Sequence, residues 1–308
     1  MSAPIVELVG VSKRFRGVRA VDDVSLALSA GRTIGVVGES GCGKSTTARL
    51  ILGLERTSGG ELRFEGTPYG RSARALRPVR RAVGMIFQDP YESLDPRFTL
   101  REIVAEPLRA HGRWKKGGEE RVRSLLSDVG LDGADLSSYP GEYSGGQRQR
   151  IGIARALALD PQLVICDEPT SALDVSVQAQ ILNLLLELQR ERGIGLLVIS
   201  HDLHIVRRMS DEVIVMYAGA IMERGPSVAV TGHPRHPYTR ALLEAIPAST
   251  PAERHLARRA RTTEGIASAA LTGCPFSTRC PKVQDLCRAE RPPLTGEPQA
   301  VACHFPEA

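Results

Sequence analysis

The feature that most constrains this chain is the loop Gly38-Glu39-Ser40-Gly41-Cys42-Gly43-Lys44-Ser45, set between the apolar run Ile34–Val37 and a helical stretch, Thr46–Leu54. The pattern G-x-x-x-x-G-K-[ST], placed after a strand and before a helix, is the context in which glycines let the backbone curl around a phosphate group. Successive N–H groups then point at the anion, and the following helix adds its positive N-terminal end. Gly38, Ser40, Gly41, Gly43 and Thr46 frame this cradle, Lys44 is placed to neutralise phosphates, and Ser45 offers a hydroxyl to Mg²⁺. The alternative reading is a glycine-rich turn that happens to end in Lys-Ser.

Two further apolar runs, Leu163–Cys166 and Leu196–Ile199, have the character of fully buried parallel strands. Each ends at chemically capable residues, Asp167 and Glu168 after one and Ser200 and His201 after the other. Ligands of open α/β sheets bind outside the carboxyl ends of the strands, so one crevice is expected to hold these groups with the glycine loop. There Asp167 can hold Mg²⁺ and Glu168 can polarise an attacking water. An acidic strand exit without chemistry is the plainer reading.

Helices are expected over Thr46–Leu54, Gln147–Leu159 and Ser176–Arg192, the last carrying Val177, Ile181, Leu184, Leu185 and Leu188 at helical spacing before Gly193. Alternating apolar residues over Ile5–Val9 and Val24–Leu28 predict a small antiparallel sheet. The insert Asp95–Arg155, with helical character in Leu100–Ala110 and Glu119–Val129, reads as a helical subdomain. Beyond about Pro234 the composition shifts toward Pro, Arg, Ala and Cys, which sets an expected boundary. The expected fold is α/β: a nucleotide-binding domain over 1–234, comprising core, N-terminal antiparallel β-subdomain and inserted helical subdomain, then a small Cys-containing extension over 235–308.

The 308 residues carry a net charge of +5, with lysine only at Lys13, Lys44, Lys115, Lys116 and Lys282. This arginine bias fits codon composition as well as an anionic partner, and Arg254–Arg261 is the single candidate basic patch, otherwise a solvated helix face or linker. No run reaches the roughly 18 apolar residues that span a bilayer, and Met1–Gly10 lacks signal-peptide order, so the chain is expected to stay where it is made. Six cysteines in such a protein do not suggest a disulfide framework.

Tyr143-Ser144-Gly145-Gly146-Gln147-Arg148-Gln149-Arg150 opens a helix with two adjacent glycines, and Ser144 with the free N–H groups there makes a second anion site. One nucleotide does not need two γ-phosphate clamps. Here the chain resembles the ATP-binding-cassette (ABC) family of P-loop NTPases with a RecA-like core, whose signature motif matches Ser144–Gln147 with Tyr143 in place of the common leucine. Gln88 in Phe87-Gln88-Asp89 looks like that family's Q-loop, Ser171-Ala172-Leu173-Asp174 like its D-loop, His201 like its switch histidine, and Phe15 stands where an aromatic stacks on adenine. The resemblance implies ATP and Mg²⁺ as cofactors, with Ser45, Gln88 and Asp167 toward the metal, and Glu168, His201 and Gln88 in catalysis. It also implies a head-to-tail dimer in which Ser144 and Gly146 serve the partner's nucleotide, and it counts Gly145, Gln147 and Asp174 among the nucleotide-binding residues.

About 100 residues separate Lys44 from Ser144, without long heptads, and one cassette is present, unlike chromosome-associated or tandem translation-factor relatives. Phe87–Pro96, His236–Leu242, Gly273–Phe276 and Arg279–Pro281 resemble the dipeptide and oligopeptide importer ATPases. That resemblance implies a peripheral protein on the cytoplasmic face of the inner membrane, two permease subunits, an extracytoplasmic peptide-binding protein reached indirectly, and no nucleic acid. Nickel or another small solute is the alternative cargo. A soluble nucleic-acid-handling ATPase and a degenerate regulatory partner are the alternative classes. Cys274, Cys280, Cys287 and Cys303, spaced C-x5-C-x6-C-x15-C, fit a zinc finger poorly. They fit either a [4Fe–4S] cluster, as some relatives of this subfamily carry in this tail, or four free thiols. Cys42 sits beside a helix N-terminus, where a thiol pKa tends to fall; the plainer reading is a small residue tolerated in the loop.

Overall fold

The structure is a computed structural model that describes residues 3–70, 72–115, 117–244 and 272–307; the basic run Arg254–Arg261 lies outside them. In chain order the elements begin with β1 (Val6–Phe15), β2 (Val18–Leu28), β3 (Thr33–Val37), α1 (Lys44–Ile51), β4 (Gly59–Phe64) and β5 (Thr67–Pro68). There follow α2 (Ala73–Ala82), β6 (Val83–Ile86), α3 (Pro90–Ser93), α4 (Leu100–Ala110), α5 (Gly118–Asp128), α6 (Gly145–Leu157) and β7 (Leu163–Asp167). Then come α7 (Val175–Arg192), β8 (Gly195–Ser200), α8 (Leu203–Met209), β9 (Glu212–Tyr217), β10 (Ala220–Pro226), α9 (Ser227–Gly232) and α10 (Pro237–Glu244). The last described elements are α11 (Asp285–Ala289) and β11 (Ala300–Val301). The chain divides into two compact units, one of Met1–Glu7, Ala27–Arg32 and Arg63–Ile199, the other of Leu8–Leu26, Thr33–Leu62 and Ser200–Ala308.

In the first unit β6, β7 and β8 pair in parallel, with Val83 opposite Leu163 and Leu163 opposite Gly195. All residues of β7 are buried, so its run of Leu, Val and Ile reads as a strand covered on both faces. β6 is a short strand that precedes the insert and that the sequence reading did not anticipate. The inserted helices α4, α5 and α6 pack on one another, burying Leu100, Ile103, Val104 and Leu108 of α4, Val122, Leu125 and Leu126 of α5, and Ile151, Ile153 and Ala154 of α6. Each fully buried Leu or Ile stabilises by about 1.5–3 kcal/mol. Thr99 and Glu102 close a capping box at the start of α4, and Gly193, at φ 63°, takes the left-handed conformation that stops α7.

In the second unit β3 pairs in parallel with β9, β9 antiparallel with β10, and β10 antiparallel with β11. The buried core joins Val37, Val213, Val215 and Tyr217 to Tyr238, Cys274, Phe276, Cys287 and Ala302. The described parts of the C-terminal extension, 235–244 and 272–307, therefore share a core with β3 and β9. Glu223, fully buried, accepts hydrogen bonds from the Arg235 and His236 backbone N–H groups and from Gln299 Nε2 at 2.8, 3.0 and 2.6 Å. These charge-assisted bonds compensate a carboxylate that burial alone would destabilise.

Candidate nucleotide site

The second unit carries the glycine loop. β3, buried along its whole length, delivers the chain to Gly38, where an added Cβ would lie 2.2 Å from the Met216 carbonyl oxygen. Gly41 and Gly43 hold φ values of 78° and 108°, which side-chain-bearing residues rarely adopt. Lys44 is 4% exposed, and its ammonium folds back to donate to the carbonyl oxygens of Gly38 (2.6 Å) and Glu39 (3.0 Å). Thr47 Oγ1 ties the first turn of α1 to the Gly43 carbonyl at 3.0 Å, while Ser45 and Thr46 stay partly exposed on that turn. Gly38, Ser40, Gly41, Gly43, Lys44, Ser45 and Thr46 are thus one continuous loop and helix start.

The expectation for Cys42 is corrected. Burial raises its thiol pKa, and the Lys44 ammonium opposes that shift without reversing it; desolvation of a fully buried thiolate outweighs the helix end. Phe15, 39% exposed at the end of β1, has the Lys13 ammonium 4.3 Å from its ring centroid, and Lys13 also pairs with Glu55 at 2.8 Å. His201 is exposed on the turn after β8, just before Asp202 caps α8 by accepting from the His204 N–H at 2.7 Å.

The first unit brings together three of the other expected groups. β7 ends at Asp167, which is 5% exposed. Glu168 follows at φ 45°, a left-handed conformation costly for a residue with a side chain. Its N–H donates to the Ile199 carbonyl at 2.9 Å, and its carbonyl accepts from Ser171 Oγ at 3.1 Å. Gln88 Nε2 donates to Glu168 Oε2 at 3.2 Å, so the expected Q-loop amide and the expected base are in direct contact. Asp174 stands at the start of α7, where its carbonyl accepts the Gln178 N–H and its carboxylate makes no capping bond.

Ser144 caps α6, its Oγ accepting from the Gln147 N–H (3.3 Å) while Gln147 Oε1 accepts from the Ser144 N–H (2.9 Å). This reciprocal box uses the Gln147 side chain to hold the helix start. A Cβ on Gly146 would lie 2.6 Å from Val177 Cγ1, and one on Gly145 would lie 3.3 Å from the Tyr91 hydroxyl, so the paired glycines let α6 begin against α3 and α7. Tyr143 shares a 2.7 Å hydrogen bond with Ser138 Oγ, leaving the Ser144 cap in place. Arg148 lies 4.3 Å from the Tyr91 ring centroid and donates to the Tyr143 carbonyl. Tyr91 and Arg148 brace the signature turn, and sequence reading gave neither a role because stacking partners leave no local pattern.

The four tail cysteines, Cys274, Cys280, Cys287 and Cys303, are free thiols lining one narrow cavity with Phe276, Phe305 and His236. Burial pushes the Cys274 thiol up to about 11, and it raises the pKa of Cys280 and Cys303 as well. Among the described residues, no three His, Cys, Asp or Glu side chains are grouped closely enough to hold a metal ion. In this arrangement the thiols converge without forming a coordination set.

Residues 21–171 match the ABC transporter family model, and residues 222–287 match that of the oligopeptide/dipeptide transporter C-terminal region. The chain is 50% identical to a probable peptide ABC transporter ATP-binding protein, y4tS, of Sinorhizobium fredii, covering 93% of this chain and 82% of that one. It is 47% identical to the oligopeptide transport ATP-binding protein OppF of Haemophilus influenzae, covering 93% and 88%. Among solved structures it resembles CbiO1 of Clostridium perfringens, with a TM-score of 0.67 at 26% identity over 75% of this chain and 92% of that one. It also resembles the dimeric ATP-binding cassette MJ0796 bound to ADP and Pi, with a TM-score of 0.65 at 29% identity over 72% and 98%. With its phosphate loop, strand-end carboxylates and capped signature helix, the chain belongs to the ABC transporter family, as an ATP-binding protein that hydrolyses ATP with Mg²⁺.

Proposed function

We propose that this chain energises the import of dipeptides or oligopeptides through separate membrane permease subunits. The observation that carries the cargo class is the match of residues 222–287 to the oligopeptide/dipeptide transporter C-terminal region, joined to relatives named for oligopeptide transport over most of the chain. Nickel or another small solute is the second cargo reading. The nucleic-acid reading leaned on Arg254–Arg261 and gains nothing from the described residues.

In this reading the Gly38–Ser45 N–H groups and Lys44 bind the β- and γ-phosphates and Phe15 stacks on adenine, while Ser45, Gln88 and Asp167 would hold Mg²⁺, which would supply positive charge to neutralise the phosphates. Glu168 accepts the proton of the attacking water, with Gln88 and His201 orienting the reactants; the products are ADP and phosphate. The left-handed backbone at Glu168 and its contact with Gln88 support this assignment, because strain held in place by surrounding bonds is a common mark of reacting groups. Ser144 and Gly146 serve the nucleotide of a second, identical or homologous, cassette, a reading supported by the dimeric state of MJ0796, with Gly145, Gln147 and Asp174 as further nucleotide-binding residues.

No helix among the described residues is long and apolar enough to cross a membrane. The chain in this reading sits peripherally on the cytoplasmic face of the inner membrane, docked on two permease subunits through residues 88–107, with a peptide-binding protein on the far side. The domain reading is a nucleotide-binding domain over 1–234 and an extension over 235–308. Four cysteines line one cavity in the tail, but among the described residues they are not grouped closely enough to hold a metal ion, so the cluster and four free thiols stand as the two readings of this segment. Anaerobic purification that yields four irons per chain would establish the cluster, and an iron-free, colourless, fully active protein would remove it.

Glu168→Gln tests the composite site. With ATP it should elute as a dimer, alone or with its homologous partner chain, and with ADP as a monomer. A Glu168→Gln protein that stays monomeric with every partner at saturating ATP contradicts the shared-site reading.

A further inference from the structure

The phosphate loop is tied to the C-terminal segment by two contacts that the ABC chemistry does not call for. Arg279 donates to both oxygens of Glu39, Nη1 to Oε2 at 2.7 Å and Nη2 to Oε1 at 2.9 Å, a bidentate pair across 240 residues of sequence. The Glu39 backbone N–H donates to the Tyr238 hydroxyl at 2.9 Å. Tyr238 is 1% exposed and packs edge-on against Tyr217 at 4.7 Å and tilted against Phe276 at 5.3 Å. Arg279 lies against the same aromatic group, its guanidinium carbon 5.8 Å from the Tyr217 ring centroid and 5.9 Å from that of Phe276. The guanidinium is therefore paired with a carboxylate and lies within 6 Å of two aromatic ring centroids.

Glu39 is the second residue of the loop, and its own carbonyl receives the Lys44 ammonium at 3.0 Å. Without Arg279, its carboxylate would be an uncompensated negative charge on a loop that must receive a polyanion, and it would be free to draw Lys44 away from the phosphates. We propose that Arg279 and Tyr238 are positioning residues for the phosphate loop: Arg279 neutralises and anchors the Glu39 carboxylate and Tyr238 fixes the Glu39 backbone, so the C-terminal segment sets the loop's affinity for a nucleoside triphosphate. The hydrogen bonds that Arg279 donates to Glu39 raise the Arg279 pKa, as a strong charge-assisted pair requires. The proposal rests on Gly38–Ser45 being the ATP site.

The test is equilibrium binding of a fluorescent ATP analogue to the full-length chain, with thermal unfolding followed in parallel. Arg279→Ala should weaken binding about tenfold, the scale of one exposed unit charge near a multiply charged ligand, and should do so more at low salt than at high salt. Arg279→Lys should fall between, because it keeps the charge and loses the fork. Adding Glu39→Gln to Arg279→Ala should restore affinity to within about threefold of the parent, and Glu39→Gln alone should bind at least as tightly as the parent. A merely structural role for Arg279 predicts no such rescue. If Arg279→Ala does not fold, Arg279→Gln carries the same prediction. Parent-like binding by Arg279→Ala, or a double variant no tighter than the single one, overturns the proposal. Lys44→Ala separates the two levels: parent-like binding there removes the phosphate-loop reading itself, whereas its loss beside an indifferent Arg279→Ala removes the positioning role alone.

Discussion

Substituting alanine at two glycines of the same loop should give unequal results. Gly41 and Gly43 both occupy left-handed backbone, at φ 78° and 108°, so either alanine costs about 1–2 kcal/mol for conformation alone. Their surroundings differ. Nothing lies within 4 Å of a Cβ built on Gly41, whereas one on Gly43 would sit 2.1 Å from the Ala20 carbonyl oxygen, where an ordinary contact is about 3.5 Å. The Ala20 side cannot retreat easily, because the Gly219 N–H donates to the Cys42 carbonyl and the Asp22 N–H to the Gly219 carbonyl, both at 2.9 Å. Relieving the overlap by moving backbone adds about 1–3 kcal/mol. Gly41→Ala should therefore lose about 1–2 kcal/mol and Gly43→Ala about 2–5 kcal/mol in urea unfolding of the nucleotide-free protein. Equal losses at the two positions, or a Gly43→Ala protein that unfolds like the parent, would refute the close approach of loop and Ala20 on which the argument rests.

Glu168→Gln should lower kcat for ATP hydrolysis by about 10²–10⁴-fold with little change in nucleotide affinity, in steady-state assays against direct binding; normal turnover would take the base role away from Glu168. Ser144→Ala should cost about 1 kcal/mol of stability through loss of the α6 cap, measured by thermal unfolding. Burial lowers His236 from 6.5 to about 4. Between those values the unfolded chain binds a proton that the folded chain does not, so stability falls as pH drops through that window, by up to about 3 kcal/mol. His236→Asn should flatten that part of the stability-versus-pH curve, and an unchanged slope would exclude His236 as its source.

The parts of the site that were legible in sequence are those written locally. The glycine loop needs neighbouring glycines and a following helix, the carboxylates at 167 and 168 need a buried run before them, and the Ser144–Gln147 box closes within four residues. The left-handed backbone at Glu168 was not legible, because its type and neighbours do not announce it and its N–H partner, Ile199, is distant in sequence. Nor was the Gln88–Glu168 contact, although both residues were singled out, since no spacing rule joins them. Cys42 misled because proximity to a helix end is visible in sequence while full burial is not. The tail read as an appendage because its composition changes near Pro234. Its aromatic residues nonetheless complete the core around Tyr217, and Arg279 reaches Glu39.

The central claim is that ATP hydrolysis at Gly38–Ser45 and Glu168 drives peptides through separate permease subunits. Its most direct test is uptake of a labelled oligopeptide into vesicles that contain the purified permease complex with this chain, with the peptide-binding protein on the outside and ATP within. Uptake should require internal ATP and stop with Glu168→Gln in this chain, while the assembled complex still binds ATP. Uptake that continues at the parent rate with Glu168→Gln, or a complex that hydrolyses ATP yet moves no peptide, would contradict the account.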